Sequence, residues 1–248
     1  VMRILNRKDL LFEKIENLGI DSDSATKLQD IFDQCSGMVL VTGPGGSGKT
    51  TTLYTVLNSL RSPRRSIITL EDPVELYLDG IRQAQIRPEL HFDFADGLRS
   101  ILRQDPNIVM VGEIRDDETA AISIRAALMG MLFFSTMHTI NSVGAIVRLV
   151  ELGLPRSFVG FALRAVVAQR LIRIICPHCK AEIKPSARIL KMAGITKENS
   201  AFFQGKGCDV CSGSGYLGRT GIFESLFVNK EVQRLIIEGA SFNEIEAQ

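Results

Sequence analysis

The run MVLVTGPGGSGKTTTLY, residues 38–54, passes through three textures. An apolar stretch leads in, a glycine-rich bend follows, and the chain then turns helical. Gly43, Gly48, Lys49 and Thr50 stand in the fixed places of G-x-x-x-x-G-K-[ST]. Glycines let a backbone curl until several N–H groups converge on phosphate oxygens. The helix that starts at the bend points its positive end at the same anion. The cradle covers Gly43, Pro44, Gly45, Gly46, Ser47, Gly48, Lys49, Thr50 and Thr51. Lys49 is expected to reach the β- and γ-phosphates, and the Thr50 hydroxyl to ligate magnesium. The bland alternative is a glycine-rich turn that matches by chance. A strand before the bend and a helix after it count against that.

Working outward, SIITLE (66–71), NIVMVGE (107–113) and LFFSTMH (132–138) repeat the pattern of a short apolar run ending in polar residues. Helix-length stretches lie between, at 48–60, 94–104 and 116–129. Apolar strands alternating with helices predict βαβ units around a mostly parallel, buried sheet. Ligands of such sheets bind beyond the carboxyl ends of the strands. Upstream, VMRIL (1–5) reads as a strand, residues 9–18 and 24–35 as helices. Downstream, 156–172 reads as a helix, 173–215 as irregular, GIFESLFV as a strand and NKEVQRLII as a helix. The expected organisation is a domain tail over 1–8, a P-loop core over 9–172, a cysteine element over 173–218 and a C-terminal strand and helices over 219–248.

The strand ends carry the chemistry. Glu113 follows an apolar strand, where a P-loop enzyme keeps an acid near magnesium, directly or through water. Glu71, Asp72 and Glu75 crowd another strand end, and three carboxylates so close repel unless a cation or water intervenes. Glu71 and Asp72 also fit a turn before Pro73. Glu75 suits a general base that polarises water. His138 ends a fourth strand, either as a packed or capping residue or as a sensor of the γ-phosphate.

The chain has 248 residues, 45% apolar and 23% charged, with 29 basic and 28 acidic side chains giving a net charge of +1. Nothing global steers it to nucleic acid or anionic lipid. No apolar run reaches the ~18 residues of a membrane span, and no export signal is visible. The chain opens on Val1 and ends in helix-like sequence without a stop signal, so a piece of a longer protein is expected. Four of its five cysteines form CPHC (176–179) and CDVC (208–211), and Cys35 stands apart. Cys176, Cys179, Cys208 and Cys211 can offer four thiolates to one zinc ion, a closed site that braces a fold and does not react. A redox pair is the weaker reading, since no thioredoxin-like βαβ start surrounds them. His178, inside the first knuckle, reads as a solvated bystander.

VTGPGGSGKTTTLY, TLEDPVE, GLRSILRQDPNIVMVGEIRDDETA and TMHT…GAIVRL occur in that order. Together they resemble the secretion-superfamily ATPases, motors of bacterial type II secretion and type IV pilus systems. There these stretches are the Walker A motif, the Asp box, the Walker B motif and the His box. The resemblance implies a RecA-like P-loop fold, with ATP and magnesium at Lys49, Thr50 and Glu113, Glu75 as catalytic base, and His138 as the His-box histidine. It also implies a homo-hexamer, peripheral on the cytoplasmic side of the inner membrane against platform proteins, without direct membrane insertion and without nucleic acid. Arg99 and Arg103, four residues apart on one helix, admit two readings: transition-state cations acting at a neighbouring subunit's nucleotide, or surface ion pairs. Two departures stand out. Gly45 replaces the usual threonine, and HTIN (138–141) replaces HTND. The tetracysteine element followed by GYLGRTGIFE is similar to the assembly motors and absent from retraction motors. A fragment of this kind is expected to hydrolyse ATP weakly. Two other classes compete. A nucleic-acid translocase would need a basic face and stacking aromatics, and this chain has no Trp and three Tyr. A small-molecule kinase would need an acceptor pocket and a lid, whereas the paired acids and His box suit water activation.

Overall fold

The computed structural model describes residues 12, 14–90, 92–192, 194–195 and 201–247. They divide into two compact units, one of 1–170 with 221–248 and one of 171–220. The strand expected over 1–5 and the domain tail over 1–8 lie outside the described residues, as do residues 9–11 and 13 of the helix expected over 9–18. Of that helix, a 3₁₀ turn covers Ile15–Leu18 and ends on Gly19 in a left-handed conformation.

The larger unit is built on β1 (Gly37–Thr42), β2 (Ile67–Glu71), β3 (Arg82–Gln85), β4 (Ile108–Val111) and β5 (Leu132–Met137). Further along come β6 (Leu163–Ile175) and β9 (Tyr216–Phe227), giving a seven-stranded order β3-β2-β4-β5-β1-β6-β9. The pairs β1–β5, β1–β6, β2–β3, β2–β4 and β4–β5 are all parallel. Alternate residues feed two cores. Met38, Leu40, Ile68, Leu70, Val109, Val111 and Phe133 enter one, while Val39, Val41, Ile67, Ile108, Met110 and Phe134 enter the other. This is why the strands read as unbroken apolar runs: both faces are covered.

The helices sort by face. The first core takes Leu98 from α3 (Phe94–Leu102), Ile124 from α4 (Asp117–Leu128), Ile146 from α5 (Ser142–Glu151) and Val159 from α6 (Arg156–Ala162). The same core takes Ile236 from α8 (Lys230–Glu238) and Ile245 from α9 (Phe242–Glu246). The second takes Leu28 and Phe32 from α1 (Ser22–Asp33) and Leu53 and Leu57 from α2 (Lys49–Leu60). Their starts follow capping chemistry. The side chains of Asp21, Asp93, Asp116, Asn141, Asn229 and Ser241 each accept an amide of the first turn.

One expected element is corrected. Residues 156–172 form a short helix, α6, followed by strand β6. β1 is fully buried and needs a hydrogen-bonded neighbour on each side. Ala165, Val166, Val167 and Ala168 supply the second one, with Val166 in the first core and Ala165 and Val167 in the second. The stretch expected to be irregular also contains structure. β7 (Lys180–Ile183) pairs antiparallel with β8 (Phe202–Gly205), and α7 spans Ala187–Met192.

α3 lies close on β2 at Gly97, where a Cβ would come 2.7 and 2.8 Å from the two terminal carbons of Leu70. Leu70 is fully buried and has nowhere to retreat. Helix propensity alone favours alanine by about 0.5–1 kcal/mol, but overpacking costs about 1–3 kcal/mol. The expected outcome is that Gly97→Ala lowers stability by about 1–2 kcal/mol, read as a lower denaturant midpoint with an unchanged slope. A rise in the midpoint would contradict this packing.

Candidate functional site

The glycine bend follows β1 directly. Gly43 has φ 147°, and a Cβ there would sit 2.3 Å from the Gln169 carbonyl, so only glycine fits. Gly46 (φ 75°) and Gly48 (φ 90°) are left-handed, and Gly48 caps α2. Gly45 is different: its φ is ordinary and a Cβ would meet nothing within 4 Å. The departure from threonine at that position therefore costs the loop no fit. Among the described residues, the backbone N–H groups of Gly45, Gly46 and Gly48 donate to no protein acceptor. The buried Ser47 hydroxyl is likewise unpartnered. Leftover donors in a glycine cradle at a helix N-terminus are the complement of phosphate oxygens. Lys49 is buried and donates from Nζ to the Gly43 and Pro44 carbonyls at 2.8 and 3.2 Å. Burial pushes its ammonium pKa down, and the nearby Glu113 carboxylate pulls it back up. Thr50 and Thr51 lie half-buried in the first turn of α2.

Parallel pairing puts the carboxyl ends of β1, β2, β4 and β5 along one edge. β5 lies between β4 and β1, so His138 follows a strand flanked by the acid strand and the cradle strand. Its Nε2 is 3.5 Å from Glu113 Oε2. The other Glu113 oxygen accepts from Arg115, whose guanidinium is also 3.9 Å from Asp72. Arg115 was not singled out from the sequence. The available signal was its place two residues after Glu113, in GEIRD (112–116).

The three crowded carboxylates diverge. Glu71 is buried and accepts from the Tyr54 hydroxyl, from Thr69 Oγ1 at 2.6 Å and from Gln83 Nε2 at 3.0 Å. Asp72 turns to Arg115. Glu75 keeps a half-exposed side chain, while its amide donates to the Tyr54 hydroxyl at 3.2 Å.

His-box residues also hold the loop. The Thr42 hydroxyl accepts the Thr139 amide at 3.0 Å and lies 2.6 Å from the Thr139 hydroxyl. Asn141 caps α5 by accepting the Gly144 amide at 3.0 Å. Behind the cradle, Thr52 Oγ1 donates to the buried Gln169 side chain at 2.7 Å. The two helix cations part company. Arg99 is engaged by Asp96 at 3.0 Å and by Glu118, as the ion-pair reading has it. Arg103, at the C-cap of α3, makes no ion pair among the described residues.

In the smaller unit, the Sγ atoms of Cys176, Cys179, Cys208 and Cys211 all lie within 4.8 Å of one another. Cys176–Cys208 and Cys179–Cys211 are 3.9 Å apart and Cys208–Cys211 3.7 Å. Four sulfurs at 2.3 Å from a central ion in a tetrahedron would be about 3.8 Å apart, so the donor set fits one such ion. Burial pushes the Cys211 thiol up, but the amides of Cys208 and Gly215, donating to Sγ at 3.2 and 3.3 Å, and the neighbouring thiols of Cys208 and Cys179 together pull its pKa below the ordinary thiol value. Burial and the same proton sharing raise Cys179. His178 is exposed and outside the cluster.

With this geometry in place, residues 1–248 match the family described as "Type II/IV secretion system protein". The chain belongs to this family. Among similar family members is the Thermus thermophilus "Type IV pilus assembly ATPase PilB", 41% identical over 99% of this chain and 28% of its own length. The Vibrio cholerae "Type II secretion system ATPase E" is 44% identical over 95% of this chain and 47% of its own length. The chain thus spans about half, or less, of these secretion-family relatives. Among solved structures, the pilus retraction motor PilT with bound ADP superposes with a TM-score of 0.64 at 26% identity, covering 94% of this chain and 57% of PilT. The Yersinia pseudotuberculosis ATPase DotB superposes with a TM-score of 0.65 at 21% identity, covering 96% of this chain and 54% of DotB, a likeness of fold.

The tetracysteine geometry yields a direct expectation. Metal analysis of the purified chain should find about one divalent ion per chain. Cys211→Ser should lose it and make the segment 171–220 the first cut by a protease. An equally protease-resistant, metal-free variant would show that the segment keeps its fold without the ion.

Proposed function

We propose that this chain is the motor portion of an ATP-hydrolysing hexamer that powers assembly of a type II secretion pseudopilus or a type IV pilus at the inner membrane. The observation that carries this reading is the convergence of the glycine cradle, Glu113 and His138 on one sheet edge in a member of a secretion family. The family likeness extends through the tetracysteine element. ATP is the substrate. Its phosphates take the amides of residues 43–51 and the Lys49 ammonium. Thr50 and Glu113 would hold magnesium, which supplies neutralisation of charge on the β- and γ-phosphate oxygens.

Glu75 is the general base for the attacking water, because it is the acid of its loop with a half-exposed side chain not already committed to an internal partner. Glu71 and Asp72 are committed elsewhere. His138, paired with Glu113, reports the state of the γ-phosphate to the acid that manages the metal. Arg103 is the better candidate for a cation acting at a neighbouring subunit, since Arg99 is engaged. The four cysteines hold zinc in a structural role. The placement is cytoplasmic and peripheral to the inner membrane, against platform proteins. Among the described residues no helix is long and apolar enough to cross a membrane.

In the full-length protein, phosphate should appear with no acceptor other than water. Glu75→Gln should lower kcat by roughly 100-fold or more, while affinity for a non-hydrolysable ATP analogue stays within about twofold. Lys49→Ala should instead abolish analogue binding. A fully active Glu75→Gln removes the assignment of the base, and transfer of phosphate only to an added small molecule removes the motor.

A further inference from the structure

Tyr54 lies five residues after Lys49 on α2 and is wholly buried. Its hydroxyl donates to Glu71 Oε2 and accepts the amides of Glu75 at 3.2 Å and Leu76 at 3.5 Å. The carboxylate it serves is engaged on its other oxygen as well, where Oε1 accepts from both Thr69 Oγ1 and Gln83 Nε2. Gln83 then returns to the same loop. Its Nε2 donates to the Leu76 carbonyl at 2.9 Å, and its Oε1 accepts the Leu78 amide at 2.6 Å. Gln85 takes the Val74 amide at 3.3 Å. The amides of Val74, Glu75, Leu76 and Leu78 therefore all end on side chains, none on a backbone ladder.

A loop hung this way has no geometry of its own. What fixes it is the set of side chains it hangs from, and one of these, Tyr54, belongs to the helix whose first residue is the cradle lysine. We propose that the Tyr54 hydroxyl, with Gln83 and the buried Glu71 carboxylate behind it, is a positioning group that holds the Glu75 loop in register with the phosphate-binding helix. This rests on the assignment of Glu75 as the base. Tyr54 touches neither nucleotide nor water in this scheme; it acts through the Glu75 backbone. Burial and the Glu71 carboxylate push the phenol pKa far up, so the hydroxyl remains a donor to Glu71 across the working pH range.

A phenol has the one arrangement this junction needs: a single O–H to give to the carboxylate and lone pairs to receive amides. Phenylalanine keeps the ring packing and removes only that exchange. It leaves a buried carboxylate short of a donor and two amides without an acceptor. Small misplacements of a catalytic group cost rate far more than they cost binding.

The test uses the full-length protein and three variants, Tyr54→Phe, Gln83→Ala and Glu75→Gln. Tyr54→Phe is expected to lower kcat by about 10- to 100-fold with the ATP-analogue dissociation constant within about twofold. Gln83→Ala, which leaves the helix untouched, should shift the same parameters in the same direction. In the Glu75→Gln background, Tyr54→Phe should add little further loss, because a misplaced base and an absent base are the same defect. Hydrogen exchange of the Glu75 and Leu76 amides should accelerate by about tenfold or more in Tyr54→Phe. This last readout does not depend on what Glu75 does. Accelerated exchange with a fully active Glu75→Gln would leave the positioning standing and sink the base. Unchanged exchange overturns the positioning. Where Glu75→Gln is inactive, an unchanged kcat in Tyr54→Phe overturns it too, as does a loss from Tyr54→Phe that multiplies in full with that of Glu75→Gln.

Discussion

All six residues of β1 are buried, and both neighbours in the sheet run parallel to it. This constraint organises the rest. A strand buried on both faces must satisfy its N–H and C=O groups through flanking strands, since no water reaches them. Parallel partners need long crossovers, which become the helices that cover the two faces. The chain can become polar only where β1 stops, at Thr42. There it meets the ends of β2, β4 and β5, whose register is fixed by the same ladder: Val41 opposite Thr136, Ser135 opposite Val111, Val111 opposite Leu70. The residues that follow those partners are His138, Glu113 and Glu71. Their meeting at one edge is a consequence of strand pairing before it is a consequence of chemistry.

At that edge, burial separates acids that look alike in sequence. Glu71 sits inside, with three donors on its two oxygens. A carboxylate so supplied is a structural node, because a water brought to it would find its lone pairs already engaged. Glu113 is mostly buried and shared between a guanidinium and an imidazole, a poise suited to managing charge. Among the described residues Glu75 is engaged only through its backbone, and its carboxylate stays partly exposed. These assignments come from accessibility and partners, the two things that residue identity alone does not supply.

That difference also explains what the sequence made legible. The cradle was readable because its chemistry demands particular residues at fixed spacing. Gly43, Gly46 and Gly48 indeed take the backbone conformations that glycine alone enters cheaply. The sheet was readable because burial on both faces leaves unbroken apolar runs. β6 was not, since LRAVVAQRLI serves equally well as a helix until β1's need for a second neighbour decides the matter. β3 was missed for the opposite reason. Its residues, RQAQ, are those of a partly exposed edge strand and carry no apolar signal, yet Gln83 works from it. Arg115 and Tyr54 were missed because their roles exist only in the folded contacts. Asn141 stands where the HTND of the resembling motors has aspartate, and here it caps a helix.

α2 draws these contacts into one element. Lys49 at its first residue holds the cradle carbonyls. Thr52, on the next turn, holds Gln169, whose carbonyl also stands against Gly43. Tyr54 holds Glu71 and the Glu75 loop. The remaining buried face, with Leu53, Val56, Leu57 and Leu60, is locked into the second core. A helix so placed is packed along its length, and Lys49, Thr52 and Tyr54 are the polar side chains through which it reaches the site. A force applied to its first turn by an anion is therefore not absorbed locally, since close-packed interiors shift as bodies and do not deform smoothly. It is delivered to two neighbours at once, to β6 through Gln169 and to the Asp box through Tyr54. The contacts of Thr52 with Gln169 and of Tyr54 with the Glu75 loop therefore tie the cradle helix to β6 on one side and to the loop after β2 on the other.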